Sequence, residues 1–181
     1  INVLPKAIST GQQNIYMLKE LFKNVSTITD FSKLPIPFMC VATNLESGKM
    51  KLFESGDLVS AIMASSAFPS LMDPVKIDDS LYIDGAMTIN YPSQPLKEKG
   101  IDIVIGVDLS QGLANRKDLQ SAISILNQVL DFGIQKETKN QYNYTDINSH
   151  PNLDGTGATS YDAKQAILDS GYVEAQKYVQ T

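Results

Sequence analysis

The sequence predicts an α/β layered domain in which helices cover a mixed sheet, and three observations carry that prediction. Apolar residues recur at helical spacing in some stretches and at strand spacing in others, so both element types are expected. Short strand-like runs alternate with helix-like ones along the chain, the pattern of a layered α/β domain. The run from Ile101 to Leu109 is nearly continuously apolar, which reads as a strand buried on both faces. With 181 residues, 43% of them hydrophobic, the chain has the material for one domain with a sizeable core.

The first element is an amphipathic helix over Gly11 to Val25, with Ile15, Leu18, Leu21, Phe22 and Val25 at helical spacing and Ser9 and Thr10 placed to cap it. Pro35 and Pro37 then frame an extended entry into Phe38 to Thr43. The turn Glu46-Ser47-Gly48-Lys49 returns the chain through Met50 to Phe53, as a strand, tight turn and strand. Asp57 to Ala67 carries Leu58, Ile62 and Met63 on one side and small residues on the other, and Pro69 stops it, so a short closely packed helix is expected.

Val75 to Ile77 and Leu81 to Ile83 flank Asp78-Asp79-Ser80 as a second hairpin, which runs directly into Asp84-Gly85-Ala86. A short helix over Ser93 to Lys99, closed by Gly100, precedes the apolar run at Ile101. Leu119 to Gln141 has helical spacing at Ile123, Leu126, Val129, Leu130 and Ile134, weakened by Gly133. Tyr144 to Ile147 fits one more short strand. After a loop over 148–160, Tyr161 to Tyr178 forms the last helix, with Gly171 as a candidate break and Tyr161, Tyr172 and Tyr178 half-buried in packing.

Composition excludes several functions. Net charge is −5 and no basic run interleaved with aromatics is present, so a nucleic-acid partner is not expected. One cysteine, Cys40, lies inside an apolar run and reads as a core residue, and no internal disulfide can form. One histidine, one cysteine and scattered carboxylates make no metal-ligand pattern, so neither metal nor cofactor is expected. Apolar stretches fall short of the roughly 18 residues a membrane span requires. The first residue, Ile1, sits almost at the start of an amphipathic pattern, which fits a segment of a longer protein.

Asp84 is the residue most suited to chemistry. It follows a short apolar strand, Gly85 lets the backbone turn sharply after it, and α/β sheets place ligands at the carboxyl ends of their strands. Asp-Gly is also a common turn pair, so the local pattern alone is weak. The order of segments around it is stronger. Phe31-Ser32-Lys33-Leu34-Pro35-Ile36-Pro37-Phe38, Val41-Ala42-Thr43-Asn44 with Gly48, and Ala61-Ile62-Met63-Ala64-Ser65-Ser66-Ala67-Phe68-Pro69 come first. Tyr82-Ile83-Asp84-Gly85-Ala86, Asn90-Tyr91-Pro92 and Ile103-Val104-Ile105-Gly106-Val107-Asp108 follow. In that order they resemble the patatin-like phospholipase family.

The resemblance implies a three-layer α/β/α domain with a mixed, mainly parallel sheet, of which residues 1–181 would be the C-terminal two-thirds. It implies a lipid acyl hydrolase acting through a Ser-Asp dyad, with Asp84 as the aspartate and Gly85 and Ala86 completing the motif. The family's glycine-rich oxyanion loop and G-x-S-x-G nucleophile elbow lie N-terminal to this region, and neither is found here. The isolated chain is therefore expected to be inactive. Ser65 and Ser66, in a helix-like small-residue stretch, read as structural, and His150 as a surface residue. Asn44 stands where many members of the family have aspartate.

The implied partners are a phospholipid or other acyl-ester lipid and a membrane surface reached through the parent protein. Ser110 to Leu119, with Ser121, Ala122, Ile125 and Leu126, resembles patatin domains of bacteria that continue into an outer-membrane β-barrel. That would make the parent an envelope protein, with a cytoplasmic enzyme as the alternative. Loss of N-terminal strands would leave a sheet edge and an apolar face open, so pairing with another copy or with a cleaved N-terminal partner is expected. The rival reading is a non-catalytic binding or assembly module. A nucleotide-binding domain is disfavoured because no phosphate-cradling loop opens a helix, and Asp154-Gly155-Thr156-Gly157 reads as a flexible loop.

Overall fold

Turn chemistry fixes the first sheet of the computed structural model, which describes residues 9–110, 112–156 and 160–179. Gly157 and the side chain of Tyr161 lie outside the described residues. β1 (Cys40–Asn44) and β2 (Met50–Phe53) pair antiparallel, Ala42 opposite Lys51. Between them the Asn44 side-chain oxygen accepts from Glu46 N at 3.1 Å, Ser47 N at 2.8 Å and the Ser47 hydroxyl at 2.8 Å, and Gly48 takes a left-handed φ of 67°. Only an acceptor oxygen is used there, which asparagine and aspartate both supply. The Glu46 carboxylate then accepts from Leu81 N, tying this turn to the next hairpin.

β3 (Val75–Ile77) and β4 (Ser80–Asp84) form that hairpin, and β4 pairs antiparallel with β1, giving the order β2-β1-β4-β3. Paired residues share a face, so Phe53, Ala42, Tyr82, Val75 and Asp84 belong to one side of the sheet. α2 (Leu58–Ser65) covers that side, with Ala61 and Ala64 against Phe31, Ala42, Phe53 and Leu58. Its small residues let helix and sheet approach closely. Asp57 caps it, accepting from Ser60 N at 2.8 Å, a contact worth about 1 kcal/mol. The rings of Phe53 and Tyr82 meet edge to face at 5.2 Å.

α1 (Gln12–Leu21) packs on α2 and is shorter than expected, its last turn tightening into a 3-10 segment at Lys23–Val25. Neither Ser9 nor Thr10 caps it by a side chain. Gly11 occupies the cap with φ 71°, a left-handed backbone that selects glycine, and the ends of the Met63 and Met72 side chains close over it.

The chain divides into two compact units, Ile1–Asn90 and Tyr91–Thr181. In the second, β5 (Ile105–Val107) and β6 (Ile147–Ser149) pair parallel, with α3 (Ser93–Glu98), α4 (Ala122–Gln141) and α5 (Lys164–Val179). Gly106 faces Tyr91, whose hydroxyl donates to Asn148 at 2.9 Å, and the Tyr91 and Tyr142 rings meet edge to face at 5.5 Å. Gln141 is fully buried, and its side-chain oxygen accepts from Gln94 N at 2.9 Å while Ser93 donates to its carbonyl.

The α/β class is as expected, and strand pairings of both senses are present. Parallel pairing is the smaller share of the described residues, because short hairpin turns join β1 to β2 and β3 to β4. Ile101–Leu109 is not buried on both faces: Val104 and Asp108 are buried, while Ile103, Ile105, Val107 and Leu109 are each more than half exposed. The run alternates like a strand with one covered face, and counting apolar letters concealed that its inward row includes a glycine and an aspartate. α4 begins at a Ser121/Ser124 capping box and runs through Gly133, and α5 runs through Gly171. Tyr172 is exposed rather than half-buried.

Candidate functional site

Asp84 is the last residue of β4 and the cap of a 3-10 turn over Gly85–Met87. Its backbone N–H donates to Ala67 O at 3.0 Å, at the end of the α2 segment. Its carbonyl accepts from the buried Thr43 hydroxyl of β1 at 3.0 Å. The Thr88 hydroxyl lies 3.0 Å from that of Thr43 and 3.2 Å from the Gly85 carbonyl. The segment after α2 and the neighbouring strand thus hold the aspartate backbone, and the following turn braces Thr43.

Gly85 is required by close approach and not by a left-handed backbone. A Cβ at this position would come within 2.4 Å of Val41 O on β1. Main chain cannot swing aside as a side-chain tip can, so no larger residue fits without moving the strand.

The Asp84 carboxylate accepts one hydrogen bond, from Ala86 N at 2.8 Å. Among the described residues no cation pairs with it and its second oxygen accepts no hydrogen bond. Burial pushes its pKa up, and the Ala86 N–H offsets that only in part. A carboxylate with one oxygen anchored, one uncommitted and its charge partly desolvated is suited to accepting a proton from a hydroxyl brought into reach.

Gly85 and Ala86 therefore serve the aspartate in different ways, one by permitting the approach to β1 and the other through its N–H. Ser66 bonds back to Ile62 O at 2.9 Å, which leaves its hydroxyl committed to the helix end. Ser65 contacts the half-buried Cys40, whose thiol burial pushes up to about 11. A thiol so placed is a poor nucleophile. Among the described residues no group of His, Cys, Asp or Glu could hold a metal ion, and no helix is long and apolar enough to cross a membrane.

Sequence reasoning missed the groups that hold Asp84, since Thr43 bonds to it through sheet pairing and not through spacing, and Thr88 acts through Thr43. It also missed Asp108. Like Asp84, this aspartate ends an apolar run, and that shared position is the signal that could have found it. His150 is a surface residue, as expected, and the structure sets it beside Asp108.

The sequence profile of the patatin-like phospholipase family matches residues 11–97 of this chain, a stretch that contains Asp84. An uncharacterized NTE family protein of Mycobacterium tuberculosis is 38% identical over 78 residues, 43% of this chain and 22% of that protein. Lysophospholipase NTE1 of Cryptococcus neoformans is 34% identical over 74 residues, 41% of this chain and 5% of that protein. Lysophospholipase NTE1 of Debaryomyces hansenii is 33% identical over 84 residues, 46% of this chain and 5% of that protein. The region alike is thus at most about a fifth of these relatives' own lengths.

Proposed function

Taking residues 11–97 as a segment of the patatin-like phospholipase family, we propose that the protein is a lipid acyl hydrolase and that Asp84 is the proton-accepting member of its Ser-Asp dyad. The observation that carries the proposal is the state of Asp84: rigidly held, desolvated, and with one carboxylate oxygen uncommitted. The 181 residues are then the C-terminal portion of a single patatin-like domain, and the nucleophilic serine comes from a preceding part of the protein.

In this reaction Asp84 takes the serine proton as the hydroxyl attacks an acyl-ester carbonyl, and later draws a proton from the water that cleaves the acyl-enzyme. An aspartate in water, with a pKa of about 3.9, is a weak base for this task. The desolvation seen here works in the required direction. The substrate class is a phospholipid or lysophospholipid, a reading supported by relatives named lysophospholipases. Gly85 and Ala86 position the carboxylate and do not react.

The test is hydrolysis of a lysophospholipid by the protein containing both halves of the domain. Asp84→Asn should lower kcat by about 10²–10⁴-fold with the fold retained, and the 181 residues alone should turn nothing over. Unchanged turnover by the Asn variant would refute the role of Asp84. A non-catalytic assembly module is the second reading, favoured by the exposed row Ile103, Ile105, Val107 and Leu109. Such a surface fits pairing with a second copy or with an N-terminal part of the domain, and a parent protein lacking the serine elbow would decide for it.

A further inference from the structure

The carboxyl ends of two adjacent parallel strands carry a cluster that the hydrolase reading does not use. Asp108 directly follows β5 and His150 directly follows β6. Ligand sites in parallel α/β sheets form at this end of the strands. Asp108 is 2% exposed, and its backbone N–H donates to Ser149 O at 2.9 Å, which locks the two strand ends together. Its carboxylate accepts from Ser110 N at 2.8 Å through Oδ1 and from the Tyr142 hydroxyl through Oδ2. Nδ1 of His150 stands 3.5 Å from that same Oδ2, while the histidine side chain is 56% exposed.

The histidine backbone is fixed as well. Its N–H is aimed at Glu174 Oε1 of α5 at 3.4 Å, and the next residue, Pro151, is buried. One ring nitrogen therefore faces a buried carboxylate and the ring's outer part faces solvent. At 3.5 Å the two are in ion-pair contact, and closing to hydrogen-bond distance would let the carboxylate select the tautomer of the imidazole and leave Nε2 as the available lone pair.

We propose that the carboxyl ends of β5 and β6 carry a second reactive site, in which Asp108 holds His150 with Nδ1 protonated and Nε2 free to attack an activated acyl carbonyl. Nε2 forms the bond to the carbonyl carbon, the bond from that carbon to its leaving oxygen breaks, and the leaving group departs with the electron pair. While the ring is transiently cationic the Asp108 carboxylate offsets its charge. The Nδ1 proton then passes to water, leaving a neutral acyl-imidazole that a second water cleaves. Asp108 is a positioning residue in this step, and the site operates without Asp84.

The chain has one histidine, so its signals are unambiguous. Long-range ¹H–¹⁵N spectra of the ¹⁵N-labelled chain at a pH where the ring is neutral should show the Nδ1–H pattern, and a predominant Nε2–H pattern would overturn the proposal without any variant. Diethylpyrocarbonate, an activated carbonyl, should acylate His150 at Nε2. In Asp108→Asn the Nδ1–H pattern should be lost and acylation slowed by about tenfold or more, in keeping with the larger penalty of replacing the aspartate of a serine-histidine triad. Acylation at an unchanged rate, with the tautomer unchanged, would equally overturn it.

Discussion

Asp84 in the first unit and Asp108 in the second both stand where an apolar strand ends, yet they are held by different kinds of group. Among the described residues the carboxylate of Asp84 meets a single backbone N–H, and the rest of its anchoring acts on its main chain. Burial consequently pushes its pKa up. Asp108 is less exposed to solvent, and burial pushes it up too, but the Tyr142 hydroxyl, the Ser110 N–H and hydroxyl and His150 outweigh that and hold it below the usual carboxylate range. Low exposure does not by itself set the charge state of a carboxylate; the donors pointed at it take part. The same pairing raises Tyr142 to about 12, burial being the larger cause and Asp108 the next.

The largest effect that would sharpen this comparison is at the glycines beside the two strand ends. Gly85→Ala sets a Cβ against Val41 backbone and should cost about 3 kcal/mol in denaturant unfolding. Gly106→Ala overlaps the ring of the buried Tyr91 more closely still, but a side-chain ring can turn, at the expense of its bond to Asn148 and its packing on Tyr142, so the loss should be smaller. Equal losses would mean that β1 yields as easily as a tyrosine.

Replacing each aspartate with asparagine should move stability in opposite directions at neutral pH. Asp108→Asn removes a charged acceptor from buried donors and should destabilise by about 2 kcal/mol. Asp84→Asn removes a charge that burial disfavours and should raise Tm. The signs follow from linkage. Asp108 has a depressed folded pKa, so its contribution is present above the unfolded value of about 3.9 and is lost as pH falls through the folded value. Asp84 has a raised folded pKa, so its contribution is full below about 3.9 and is lost as pH rises through the folded value. Melting curves of both variants from acid to neutral pH would expose any error in either sign.

A smaller effect concerns one buried hydroxyl in each unit. Among the described residues the buried Ser70 and Thr138 hydroxyls find no hydrogen-bond partner, and Ser70 also has a left-handed φ of 72°. Ser70→Gly should stabilise by about 1 kcal/mol, because it relieves both faults. Thr138→Val, which relieves one fault inside α4, should gain less. A loss of stability at Ser70→Gly would show that the hydroxyl has a partner in solution.

Much of this was legible in the sequence where the signal is local. Hairpin turns, the small-residue face of α2 and the position of Asp84 all announce themselves within a few residues. Bonds that join distant residues do not. Thr43 reaches Asp84 only because β1 and β4 pair, and Asp108 reaches His150 only because β5 and β6 do. The exposed row Ile103, Ile105, Val107 and Leu109 is hidden for a related reason: apolar letters do not say which alternate positions the sheet covers.

The Thr43–Asp84 bond spans 41 residues of sequence, and the Ala42–Asp84 pairing is of similar reach. Contacts of such separation are slow to form, because loop closure must come before they reward it. The hairpin of β3 and β4 can assemble early and still leave Asp84 unanchored. Only when β1 docks is the aspartate set in place, so an assay of Asp84-dependent turnover during refolding would also time the closure of the sheet.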